Sequence, residues 1–225
     1  MSEAGGEGKA PLSVMARVQR GLEAVYRVET RLDVDAFMVG EKEREEALGD
    51  GNTARRPREQ LLVAQTGQEL SLALFLDAAA IANLEENDPA EGLSEENFGD
   101  FLLAVEGVSH FIYVALCAAR DRPVTALELE LQAEVDKFVS CALVQGGRDT
   151  DRLCERLYDQ IALADDLDHT ERLRYQTAND EARRYARSLA RRFFSRGRVE
   201  RMLGELRWFY RLGLPDKLNH IARAA

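Results

Sequence analysis

The residues best placed to do chemistry lie on one greasy stretch of the chain. Between residues 94 and 120, Phe98, Phe101, Leu102, Leu103, Val105, Val108, Phe111, Ile112, Val114, Ala115 and Leu116 would cover nearly the whole circumference of a helix. Glu106, Ser109, His110, Tyr113 and Cys117 gather instead in one sector, roughly 100° wide at 3.6 residues per turn. Glu106 and His110 are four positions apart and therefore stand one turn from each other on the same face. If the next helix folds back through the turn at residues 120–124, counting outward from that turn brings His110 opposite Glu134. Glu106, His110 and Glu134 would then form a carboxylate–imidazole cluster between two helices. That set suits a divalent metal, or an acid–base pair whose pKa values burial has moved. The E-x-x-x-H spacing occurs once, without the second copy that a carboxylate-bridged di-metal bundle needs. Two other readings of the stripe are a helix face that meets water and a satisfied buried network that sets helix register. Beyond this divalent metal no cofactor is predicted.

The second constellation is one of charge. The chain carries 30 Lys/Arg and 40 Asp/Glu, a formal charge of −10. Residues 170–225 hold fourteen Lys/Arg against six Asp/Glu, a local +8, so the preceding 169 residues carry −18. Ala182, Tyr185, Ala186, Leu189 and Phe193 mark one side of a helix, and Arg183, Arg184, Arg187 and Arg191 the opposite side. Arg192, Arg196, Arg198 and Arg201 extend the positive charge over the next turn. Guanidinium groups at this density can fork onto carboxylate or phosphate. A regulatory protein that docks a protein partner through this basic face and an acidic N-terminal part is the expected function. Nucleic-acid binding through the arginines and the metal-dependent enzyme are the alternatives. The alternative for the arginines themselves is that they face the acidic body of their own molecule.

Several chemistries are excluded by missing motifs. There is no GxGxxG after a strand, no GxxxxGK[ST], no GxSxG, no HExxH and no kinase signature. Asp165, Asp166 and Asp168 lack the glycine and terminal glutamate of a calcium loop and read as a helix-capping loop. Cys117, Cys141 and Cys154 show no CxxC or Cys/His spacing, which argues against a disulfide framework or zinc knuckle. The start, MSEAGGEGKAP, has neither the cationic beginning nor the apolar core of a secretory signal. The longest unbroken apolar run, residues 111–119, is short of the ~20 a membrane span needs. A soluble cytoplasmic protein without a membrane span is expected, with self-association left open.

The elements that must position these groups can be read from periodicity. With 225 residues, 45% of them hydrophobic, the chain can bury roughly 70% of its unfolded surface. Residues 1–10 are expected to be disordered. Val14, Val18, Leu22 and Val25 predict a helix starting at Ser13, and the alternation of Leu32, Val34 and Ala36 predicts a strand. Residues 40–59 read as a mobile charged loop with one helical turn around 43–48. Residues 60–64 and 69–76 predict a β-hairpin turned at Gly67. Helices are expected over 77–84, from an N-cap at Ser94 to about 120, and from a Thr125/Glu128 capping box to 144. Three more would cover 150–164, 170–196 and the stretch to 212, with a short last one ending at 225. The expected fold is α+β and predominantly helical: residues 11–92 give a helix and a small antiparallel sheet, packed on a five- or six-helix bundle over 93–225. The two parts would form one continuous unit, with the hairpin at 94–144 as its spine.

Overall fold

The computed structural model describes residues 11–49, 57–67, 69–160 and 167–224. Residues 1–10, the remainder of the 40–59 loop at 50–56, and the acidic loop at 161–166 with Asp165 and Asp166 lie outside the described residues. The expected α+β, mainly helical architecture is present. Nine α-helices and a three-stranded sheet are found among the described residues.

Helix α1 (Val14–Tyr26) is capped by the Ser13 hydroxyl, which accepts from the Ala16 amide at 2.9 Å. The strand expected at 32–36 does not form. The chain makes a 3-10 turn over Val34–Phe37, and only Met38–Val39 (β1) is extended. The cause is a competing set of hydrogen bonds. Gln19 of α1 donates to Leu32 O at 2.8 Å and accepts from the Val34 amide at 2.9 Å, and the Asp33 carboxylate caps the Asp35 amide. The backbone groups a strand would have paired are already used.

Helix α2 (Glu41–Leu48) occupies two turns where one was expected. Strands β2 (Glu59–Thr66) and β3 (Glu69–Leu76) form the predicted antiparallel hairpin, with Thr66 opposite Glu69 and Gly67 at φ 63°. β1 lies parallel to β3, Met38 opposite Leu74, so the sheet is mixed rather than wholly antiparallel and has the order β1-β3-β2. Helix α3 (Ala78–Glu86) follows, capped by Asp77.

Helix α4 (Phe98–Ala118) starts three residues later than expected. Ser94 hydrogen-bonds locally to Glu96, and Asn97 holds the entry instead, donating to Asn87 O and Gly92 O. α4 has the length and apolar content of a bilayer-crossing helix, but 72% of its most apolar window is buried inside the protein. The sheet and α1 cover it on some sides and α5 (Ala126–Val144) on another. Full burial of side chains such as Phe111, Ile112 and Phe138 contributes about 1.5–3 kcal/mol each. Thr125 accepts from the Glu128 amide as predicted, but the Glu128 carboxylate turns away from the reciprocal half of the capping box to take Tyr113 and Arg122, both at 2.7 Å. Gly146 and Gly147, at φ 64° and 73°, end α5.

Helix α6 (Thr150–Cys154) passes directly into a π-turn over Glu155–Asp159, so no regular helix runs on toward 164 across the described residues. Asp168 and Glu171 form the capping box of α7 (His169–Arg192). α7 stops short of 196 because Phe193 leaves helical geometry, with φ −124° and ψ −58°. Helices α8 (Val199–Phe209) and α9 (Leu214–Ala224) complete the bundle.

Three of the five residues in the polar stripe of α4 are turned away from water. Ser109, Tyr113 and Cys117 are buried, and their partners are Asp136 and Glu128 on α5, Lys217 on α9 and Arg122 in the turn between α4 and α5. Asp136 accepts from Tyr26, from Ser109 at 2.6 Å and from Gln132 at 2.7 Å. Lys217 of α9, wholly buried, donates to Tyr113 at 2.7 Å and Gln132 at 2.6 Å and lies over the Tyr113 ring. This is the register-fixing network among the sequence readings.

Two outcomes follow for stability. Asp136→Ala strips three buried donors of their acceptor and should cost about 3–5 kcal/mol in urea unfolding, at 1–3 kcal/mol per orphaned group partly shared. Burial lowers the Lys217 pKa to about 7 from its usual 10.5, offset only in part by Glu128 and Asp136. Between those two values the unfolded chain holds a proton that the folded chain has released, so folding gains stability as pH rises. The stability of the wild type relative to Lys217→Met should therefore increase from pH 7 to pH 10; a flat difference would contradict it.

Candidate metal centre

A cleft of about 510 Å³ opens where β2, α4, α5 and the start of α7 meet. Glu59, Gln60, Glu106, His110, Glu130 and Arg174 line it, among others. Its volume falls within the few hundred to 1,000 Å³ of small-molecule sites.

Glu59 enters this cleft because β2 is tied down at its beginning. Arg58 bonds Asp77 at 3.0 Å and Asp100 at 2.9 Å, and its carbonyl accepts from the Asp77 amide at 2.8 Å. Opposite, α4 carries Gly107, and a Cβ there would stand 3.1 Å from the Glu59 side chain and 3.0 Å from Leu74. The missing side chain lets the strand lie close against the helix. His110, one turn along, is held between two carboxylates. Nδ1 lies 3.9 Å from Glu59 Oε1, and Nε2 lies 3.9 Å from Glu130 Oε2. Both separations exceed a hydrogen bond. On the other side of Glu106, Lys137 donates to Glu106 and Glu134, each at 2.7 Å.

Glu106 and His110 thus belong to one cluster, as expected, but Glu134 does not face His110. Lys137 stands between them in the chain of charges, and Glu130, one turn earlier on α5, takes the place opposite the imidazole. Counting outward from the turn gave the right pair of helices and an offset along α5 that is one turn out. The groups that sequence reasoning missed are Glu59, Gln60, Glu130, Lys137 and Arg174. Lys137 did carry a signal, as the sole cation of α5 among four acids. Glu59 had none, since only the folded hairpin brings it to α4.

Burial and charge pull against each other here. Burial lowers the His110 pKa, but Glu59, Glu130 and Glu106 outweigh it and lift the imidazole to about 9. Burial raises Glu130 to about 7 despite His110 and Lys137, and it raises Glu59 as well. Burial acts the same way on Glu106, but Lys137 and His110 overcome it and hold that carboxyl low. Lys137 is held well above its usual value by Glu106 and Glu134 despite burial.

One ligand atom each from Glu59, Glu106 and His110 lies within 4.8 Å of the others. A tetrahedral cation with 2.0–2.1 Å bonds needs ligand atoms ~3.3 Å apart, so the 3.9 Å between imidazole and Glu59, and separations of up to 4.8 Å within the set, require the side chains to close by about 0.5–1.5 Å. Seven buried side-chain polar atoms lack a hydrogen-bond partner among the described residues, and four line this one cleft: Glu59 Oε1, Gln60 Oε1, His110 Nε2 and Arg174 Nε. The Glu59 side chain is only 9% exposed. Native interiors seldom leave such atoms unpaired away from a functional site.

The arginines are arranged differently. Arg183 and Arg187 share Asp159 at 2.9 and 2.8 Å, Arg183 also reaches Asp180, Arg184 pairs with Glu181, and Arg192 with Glu205. Their carboxylates come from the π-turn, α7 and α8 of the same molecule. Arg191 and Arg196 are exposed and have no carboxylate partner among the described residues. Arg187 and Arg191 line a cleft of about 570 Å³ together with Asp151 and Glu155, whose charges oppose theirs. The apolar side of α7, including Ala182, Tyr185, Ala186 and Leu189, is buried as predicted.

A histidine caged by carboxylates should titrate late. In NMR-detected titration the His110 imidazole should lose its proton near pH 9, and Glu59→Gln should bring that midpoint down by removing one of the two flanking carboxylates. A midpoint at or below 6.5 in the wild type would contradict the cage. No family model, curated protein or solved structure matches the chain, so what the molecule does has to be reasoned from this cleft.

Proposed function

We propose that this protein binds a first-row divalent cation, of the Zn²⁺ or Mn²⁺ kind, through Glu59, Glu106 and His110. The observation that carries the reading is the convergence of two carboxylates and an imidazole within 4.8 Å, with Glu59 Oε1 buried and unpartnered among them. One nitrogen and two oxygens form a borderline donor set, suited to zinc, manganese or iron rather than to calcium. The surroundings are acidic as well. Glu59, Glu106, Glu130 and Glu171 line the cleft against His110 and Arg174, which favours an incoming cation. Lys137 already neutralises Glu106 and holds that carboxylate in place beside the imidazole. Glu130 faces the other imidazole nitrogen at 3.9 Å and places a carboxylate behind the ring, on the side away from Glu59. A cation here would act as a Lewis acid and lower the pKa of a bound water, chemistry that fits a metal-dependent enzyme.

Protein docking through the basic C-terminal helices is a second reading, favoured by the exposure of Arg191 and Arg196. The ion pairs made by the other four arginines leave it less charge to work with. Exposed pairs of this kind are worth only about 0–1 kcal/mol, so a partner could exchange them at small cost.

Calorimetric titration with Zn²⁺ and Mn²⁺ tests the cation site. The wild type should bind one equivalent, and His110→Ala and Glu59→Gln should each weaken binding at least tenfold. Since the cation displaces a proton from an imidazole with a pKa of about 9, affinity should rise about tenfold per pH unit between pH 6 and 8. Equal binding by the wild type and both variants, or none by the wild type, overturns the reading.

A further inference from the structure

Two of the unpartnered atoms in the cleft are not cation ligands, and they differ in what they require. Arg174 Nε is a buried donor in need of an acceptor. The guanidinium is pinned from two sides, with Glu130 Oε1 3.8 Å from Nε and the Tyr175 ring 5.1 Å from the guanidinium carbon. Glu130 is too distant to satisfy Nε, so that N–H lacks an acceptor on a residue that lines the cleft. Gln60 Oε1 is a buried acceptor in need of a donor, carried on β2 next to Glu59. A molecule that satisfies both must present an anionic acceptor and a hydroxyl or amino donor, and it must fit in about 510 Å³.

We propose that the cleft binds a small carboxylic acid carrying a hydroxyl or amino group, its carboxylate held by Arg174 and its donor by Gln60. This rests on the cation reading, because the acid would otherwise meet a lining with more carboxylates than cations. A divalent ion at Glu59, Glu106 and His110 reverses that balance locally and can share the acid's carboxylate. Carboxylate is favoured over phosphate for the same reason: a dianion would gain more repulsion from Glu130 and Glu171 than a monoanionic group does. The donor requirement gives specificity, since an analogue without it leaves Gln60 Oε1 buried and unpaired.

The test uses L-lactate, propionate and inorganic phosphate titrated into the Zn²⁺-loaded full chain, with zinc content measured on the same samples. Lactate should bind at least tenfold more tightly than propionate, which lacks only the hydroxyl, and more tightly than phosphate. Arg174→Gln should abolish lactate binding while retaining zinc. Gln60→Leu should leave propionate affinity unchanged and remove the advantage of lactate. Stoichiometric zinc with no lactate binding, or lactate binding indifferent to Arg174→Gln, overturns the acid reading and leaves the cation site standing. Tighter binding of phosphate overturns the carboxylate assignment. A wild-type protein that takes up no zinc overturns both.

Discussion

Burying charge between α4 and α5 is the constraint from which the rest of the molecule follows. An ionised group inside a protein costs several kcal/mol unless partners surround it, so each charge admitted to this seam obliges another to be brought to it. Lys137 is tolerable because Glu106 and Glu134 flank it, and Glu106 because Lys137 and His110 do. Asp136 is tolerable because Tyr26, Ser109 and Gln132 donate to it. These requirements pull α1, α9 and the hairpin onto the same pair of helices from three directions. Hydrophobic burial drives the assembly, and the polar pairs decide which rotation of each helix is allowed.

The seam holds two networks of opposite character. The one around Asp136 and Lys217 is sealed. Every polar side chain in it has a named partner, and aromatic rings of Tyr113, Phe209 and Tyr210 close over the lysine. The one around His110 is incomplete and opens to the cleft, with contacts near 3.9 Å where the sealed network has 2.6–2.7 Å. Nothing in residue type distinguishes the two, since both combine acids, a base and amides. What differs is whether protein groups alone complete the set. Structural polar networks are completed in this way, and binding sites leave positions for something else.

Much of the architecture was legible because it depends on local signals. The hairpin at Gly67, the glycine stop after α5, the Thr125 and Asp168 caps and the apolar side of α7 all follow from spacing and turn chemistry. The misreadings share a cause. At Leu32, Val34 and Ala36 an alternating pattern was overruled by a glutamine on another element, and at Ser94 the cap passed to Asn97 because of carbonyls at Asn87 and Gly92. The site divides along the same line. Glu106 and His110 were visible as neighbours on one helix. Their partner on α5 needed the offset of the two helices along their axes, which no count of turn residues supplies. Glu59 needed the sheet.

That last residue changes how the molecule holds together. Glu59 belongs to the hairpin and His110 to the bundle, and they meet only because Gly107 gives the strand room. Whatever occupies the space between them is also a rivet through two layers. Anything that joins the layers more strongly when they are docked than when they are apart shifts the balance toward the docked form. Docking of β2 on α4 and occupancy of the cleft would then be linked, each favouring the other.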